Sequence, residues 1–258
     1  MRTMTRRIAA GAASLAVLTG TAVLTGCGSS ANGSGATDTV QTANGIETLP
    51  ARQILEKSLA ASKAASSVAV VGQISDEDQR AMSLDLLLGT DASQGTTSFT
   101  GFSMEFRVTG GTTYFKISRE GIEHVLGAGE GSALIGDRWL LMSSDDTSDT
   151  LSALGDEFTS KNAMLTSLLS PDGTVTVKGT GQADGVPVVF IRSSSNPGGT
   201  LAIRTVGEPY PVQISTDAAN GSEQGTVTFS NWNAPVNVTA PADAVRPEDL
   251  LSAGGAST

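Results

Sequence analysis

The chain holds one cysteine, Cys27, and one histidine, His124. A single cysteine excludes an intramolecular disulfide, so packing alone must hold the fold. One histidine with one cysteine cannot supply a structural zinc set, which needs several such ligands. A Ser-His-Asp hydrolase would have to use His124. No G-x-S-x-G elbow is present, and His124 lies in a polar helix start, Arg119-Glu120-Gly121-Ile122-Glu123-His124. It reads as a surface side chain, and no residue reads as catalytic.

Basic charge is also scarce, with 16 Lys+Arg against 26 Asp+Glu and a net charge of −10. Such a balance excludes nucleic-acid binding by phosphate neutralisation. It gives no polybasic attraction to anionic lipid headgroups either. Acidity of this kind favours solubility. Asp76, Glu77 and Asp78 form one acidic cluster, and Asp145, Asp146 and Asp149 another. Neither has the spacing of an EF-hand loop, so both read as solvated turns and no metal site is expected. Gly110-Gly111 and Gly198-Gly199 lack the strand–loop–helix context of a phosphate cradle and read as turns. Aromatic residues make up only 4% of the chain.

No long, unbroken apolar run is present. The longest candidate, Ile8 to Leu24, is interrupted by Gly11, Gly20 and Thr21, and fits a permanent membrane helix poorly. It does fit an export signal. Met1-Arg2-Thr3-Met4-Thr5-Arg6-Arg7 carries three positive charges and no acid ahead of the apolar run. Leu24-Thr25-Gly26-Cys27 closes that run and resembles a lipobox, the bacterial lipoprotein cleavage motif. The resemblance implies cleavage before Cys27, a diacylglyceryl group on its thiol, and residence at the outer face of the plasma membrane. It also accounts for a lone cysteine in an exported chain. Two acyl chains hold a protein stably where one is marginal. Cleavage leaves 13 Lys+Arg against 26 Asp+Glu, a net charge of −13.

The expected organisation follows from composition. Residues 1–26 are the signal and 27–45 the lipidated cysteine with a polar tether of Gly, Ser, Ala, Asn and Thr. Such a segment cannot bury enough surface to order itself. Residues 46–245 form one domain and 246–258 a polar tail. At the start of the domain, Pro50 suits a first helical turn. Ile54, Leu55, Leu59, Ala61 and Ala65 then recur at helical spacing to about Ser66, with Ser58 and Ser62 in the same stripe.

The period then switches to two. Strands are expected at Val68–Ile74, Met82–Leu88, Thr96–Thr100, Phe102–Val108, Thr113–Ile117 and Asp137–Met142. The pair around Gly110-Gly111 reads as a hairpin, across which Glu105 and Arg107 can meet Lys116 and Tyr114. Helices are expected at Glu120–Leu126 and from about Thr150 to Leu169. Five further strands follow near Thr174–Lys178, Val186–Arg192, Thr200–Val206, Tyr210–Thr216 and Gly225–Asn231. The pattern is an α+β fold of about eleven strands, its short connections favouring an antiparallel meander.

This layout resembles the LolA-like fold, and within it the LppX/LprAFG family of actinobacterial lipoproteins. Two stretches carry the likeness: Gly207-Glu208-Pro209-Tyr210-Pro211-Val212-Gln213-Ile214, and Phe229-Ser230-Asn231-Trp232-Asn233-Ala234-Pro235 continuing to Pro241. The resemblance implies a strongly curved half-barrel wrapped around a few helices. It also implies a hydrophobic cavity for an acylated lipid or lipoglycan, and a role in moving it through the cell envelope. No cofactor is implied, and any envelope protein partner is left unnamed. Candidate lipid contacts are Leu84, Leu86, Phe102, Met104 and Phe106 on the sheet, with Leu154, Phe158 and Leu165 on the covering helix. If a void lies there, Leu86→Trp is accepted cheaply. The competing expectation is a solidly packed envelope scaffold or sensor without a lipid ligand.

Overall fold

The computed structural model describes residues 42–75, 81–99, 101–126, 129–142, 160–171, 173–194, 198–217, 223–246 and 249–250. Eleven strands make one antiparallel sheet. They are β1 (Ser67–Ser75), β2 (Ala81–Gly89), β3 (Ser93–Phe99), β4 (Phe102–Thr109), β5 (Thr112–Ile117), β6 (Trp139–Met142), β7 (Val175–Ala183), β8 (Val186–Ser193), β9 (Gly199–Arg204), β10 (Pro211–Asp217) and β11 (Glu223–Ser230). Their order is β6-β5-β4-β3-β2-β1-β11-β10-β9-β8-β7. Two meanders are thus joined where the first strand pairs with the last, with Val70 opposite Phe229. The sheet is curved and unclosed, the α+β half-barrel class expected from the sequence.

Alternation decides which way each strand faces. On β2, Leu84, Leu86 and Leu88 are buried, whereas Asp85 is exposed. On β4, Met104 and Phe106 are buried and register against Ile117 and Phe115 of β5. Period two places each set on one face. The β4–β5 turn uses Gly110 at φ 60° and Gly111 at φ 76°, with Thr109 paired to Thr112. Two consecutive positive φ values define the primed turn that glycine permits.

Helix α1 (Ala51–Ala64) lays Ile54, Leu55, Ser58 and Ser62 on the inner face of the sheet. The small serines cost little side-chain entropy and let neighbours approach; Ser62 Oγ donates back to Ser58 O at 2.7 Å. Helices α2 (Arg119–Leu126) and α3 (Glu130–Ile135) fill the link from β5 to β6. The sequence reading placed one helix there; α3 is too short for its period to show. Helix α4 (Lys161–Leu169) is capped by Ser160, whose Oγ accepts from Ala163 N at 3.3 Å. The sequence pattern is read as one helix from about Thr150 to Leu169, but Ser160 is extended (φ −88°, ψ 110°) and caps a helix that begins only at Lys161, so no single helix runs through that position. Leu151, Leu154 and Phe158 lie outside the described residues.

One buried cation joins the two long helices. Lys161 opens α4 at 4% exposure, and its Nζ donates to Ser62 O at 3.3 Å, Lys63 O at 3.0 Å, and Ala65 O. The last carbonyls of a helix have no internal partner, and they form the negative end of its dipole. A lysine there satisfies both needs. Burial holds the Lys161 ammonium below its ordinary pKa.

The two sequence stretches that carry the family likeness meet in space. The Tyr210 and Trp232 rings stack at 4.4 Å. Asn233 Nδ2 donates to Tyr210 Oη at 3.0 Å, and Asn233 Oδ1 accepts from Ser66 N at 2.8 Å. Asn231 and Asn233 sit at φ 51° and 63°, a left-handed conformation asparagine tolerates better than most residues. These contacts fasten the chain after β11 to the start of β1. The chain then crosses to β6, where Val245 N donates to Trp139 O at 2.9 Å and accepts, through its carbonyl, from Leu141 N at 2.8 Å. One edge of the sheet is thereby covered.

Candidate functional site: an apolar pocket under two helices

The inner face has a filled end and an open end. At the filled end, Leu84, Leu86, Met104 and Phe106 join Leu165 of α4 in one core cluster, each at 5% exposure or less. The packing is close. A Cβ at Gly95 would lie 2.6 Å from Leu86 Cδ2. Phe102 is half-buried and separate from that layer. Its ring stacks on Phe99 at 4.9 Å and on His124 at 6.0 Å. So five of the sequence candidates meet as packed neighbours, and Phe102 stands at their margin. Leu154 and Phe158 lie outside the described residues.

The open end lies on the second meander. Leu55 of α1 and Leu168 of α4 face Val175, Ile191, Leu201 and Ile214 across a pocket of about 130 Å³. A second pocket of about 150 Å³ adjoins it, sharing Leu55, Pro171 and Val175. Leu59 and Leu169 continue the apolar wall there, and Arg52, Glu56 and Ser170 form its polar margin. An apolar hollow edged by a few polar groups has the chemistry of a ligand site.

None of the wall residues Val175, Ile191, Leu201 and Ile214 is among the lipid contacts expected from sequence. A signal existed in the run Val188-Val189-Phe190-Ile191, apolar on both faces of its strand. What the sequence withheld was the pairing of β1 with β11, which swings the second meander under α1. That contact is long-range and leaves no local period.

Other candidates were also placed. His124 is exposed, with its ring stacked on Phe102. Among the described residues no group of three or more His, Cys, Asp and Glu side chains could hold a metal. Both acidic clusters lie outside the described residues. The hairpin pairing is present: Lys116 Nζ meets Glu105 Oε1 at 3.1 Å, and Arg107 registers against Tyr114. The Arg107 guanidinium also lies 4.7 Å over the Trp139 ring, on the outer face. No described helix is long and apolar enough to cross a membrane.

No family model and no curated protein matches the sequence. Solved structures do. LprF from Mycobacterium bovis is similar at 18% identity and TM-score 0.47, over 74% of this chain and 97% of that one. Mycobacterium tuberculosis lipoprotein LppX is similar at 22% identity and TM-score 0.42, over 73% and 98%. MucB is similar at 15% identity and TM-score 0.38, over 75% of this chain and 63% of that one. The first two bear names from the family that the sequence layout resembles.

Proposed function

We propose that the chain is a lipid-anchored envelope protein that takes the acyl part of a lipid or lipoglycan into the pocket beneath α1 and α4, for transfer within the cell envelope. The carrying observation is the apolar hollow walled by Leu55, Leu168, Ile191, Leu201 and Ile214. Burial of a chain there is favoured by about 0.8 kcal/mol per methylene. The sequence adds the lipobox at Cys27, which would keep the pocket close to a membrane source of acyl chains. No catalytic residue is assigned.

The test is chemical. The mature protein, purified from membranes in mild detergent, is extracted with organic solvent, which frees non-covalent lipid and leaves the Cys27 adduct attached. Mass spectrometry should find acyl lipid in the extract at a fixed ratio to protein. An extract containing only detergent and bulk membrane lipid at variable ratio would count against acyl binding.

A second reading has its own observation. The layer formed by Leu84, Leu86, Met104, Phe106 and Leu165 is close-packed, as the interior of a scaffold or sensor module would be. The same extraction separates the two.

A further inference from the structure

The first meander carries a recess of its own, on the outer face of the sheet. Register places Asp85, Thr96, Glu105, Lys116 and Trp139 in one row across β2 to β6. Leu87, Gln94 and Arg107 lie in the adjoining row. Both rows stand on the outer face, because the residues that alternate with them, such as Leu86, Thr97, Phe106, Phe115 and Leu140, are buried. The two rows, Lys116 excepted, line a hollow of about 270 Å³, larger than either of the inner hollows.

Two of its charged groups are fixed by the protein itself. The Arg107 guanidinium lies 4.7 Å from the Trp139 ring centre, and its Nη1 donates to Thr239 O at 3.2 Å. Glu105 is held by Lys116 at 3.1 Å. Asp85, Gln94 and Thr96 have no side-chain hydrogen bond among the described residues, so their polar groups are left for a ligand. The charges balance, Asp85 and Glu105 against Arg107 and Lys116. The carboxylates oppose a phosphate and the cations oppose a metal ion. The polar groups would lose their water to an acyl chain and gain nothing in return. What suits this lining is a neutral ligand rich in groups that donate and accept at once. A sugar hydroxyl does both, so it can meet a carboxylate oxygen and an amide or guanidinium N–H together. A sugar ring also has apolar C–H faces, which Leu87 and Trp139 can cover. At ~30 Å³ per water the recess holds about nine waters, the scale of one ring.

We propose that this outer recess binds one neutral sugar ring of a glycan, as a site separate from the acyl pocket. Asp85 and Gln94 take its hydroxyls, and Leu87 and Trp139 take its C–H face. The ring can belong to a polysaccharide or to the head of a glycolipid, since the recess reads the ring alone.

Solution NMR of the full-length protein, held in a detergent without a sugar head, tests it. The probes are the methyl glycosides of glucose, galactose, mannose, xylose and N-acetylglucosamine, and each sugar again as its long-chain alkyl glycoside. The two tryptophans each give one indole N–H signal, and Trp232, stacked on Tyr210, serves as the internal control. At least one methyl glycoside should shift the Trp139 signal at millimolar concentration and leave that of Trp232 unmoved. Asp85→Ala should weaken this binding about tenfold, the worth of one charge-assisted hydrogen bond. Asp85 is exposed, so the substitution should leave the melting temperature unchanged. Absence of a Trp139 shift with every methyl glycoside, or a shift undiminished in Asp85→Ala, overturns the sugar assignment. A response confined to the alkyl glycosides traces the binding to the acyl chain and overturns a separate sugar site.

Discussion

Lys161 shows how one side chain fixes the geometry of the site. Its ammonium holds the C-terminal carbonyls of α1 from the first turn of α4, so the helices that wall the pocket cannot slide apart independently. Lys161→Ala leaves those carbonyls without a donor, at a cost of about 1–3 kcal/mol. A lowered melting temperature should report it. The pH dependence has a definite sign. The folded-state pKa is lowered, so between that value and the ordinary one the unfolded chain binds more protons. Stability contributed by this group therefore rises as pH rises through that window, and Lys161→Ala should flatten the rise. Denaturant titrations of both proteins across the alkaline range measure it. Cys27 is the other residue on which the account depends. Cys27→Ser should free the protein from membranes, because the glycine-broken signal is too weakly apolar to serve as an anchor. Persistence of Cys27→Ser in salt-washed membranes would show the lipobox reading to be wrong.

Among the elements, the seam between β1 and β11 matters most, since it turns two meanders into one sheet. Tyr210, Trp232 and Asn233 lock it from one end. Asn233 contributes twice, through its amide and through its tolerance of φ 63°. Asn233→Ala loses both, and should cost about 2–3 kcal/mol in all, from lost hydrogen bonds and left-handed strain. Asn233→Gly loses only the amide and should be less damaging by about 1 kcal/mol. Equal loss in the two variants, measured by chemical denaturation, would show that the backbone conformation is not what selects asparagine.

For the whole molecule, strands were the most legible feature of the sequence. Alternation at Leu84-Asp85-Leu86 and at Met104-Glu105-Phe106 marks both the strand and its buried face. Gly110-Gly111 marks the hairpin and its turn. The second helix of the link, Glu130–Ile135, has fewer than two turns and left no period. The pocket was the least legible. Its walls come from α1, α4 and strands far apart in the chain, and Ile214 and Leu201 look like any core residues until β1 pairs with β11. The sequence directed attention to Leu86, which the structure places in the filled end at 1% exposure. Leu86→Trp should therefore overpack the core and destabilise by about 1–3 kcal/mol or more. Ile214, half-buried on the pocket wall, has open space beside it. Ile214→Trp should fill that space with little change in melting temperature.

That contrast supplies the most direct measurement of acyl binding. Native mass spectrometry of the mature wild-type and Ile214→Trp proteins, released gently from detergent, reads non-covalent lipid on the intact chain. The account predicts a discrete acyl-lipid adduct on the wild type and its loss from Ile214→Trp, with both proteins folded. A folded wild type carrying no adduct, or an adduct unchanged in Ile214→Trp, would contradict a lipid site in this pocket.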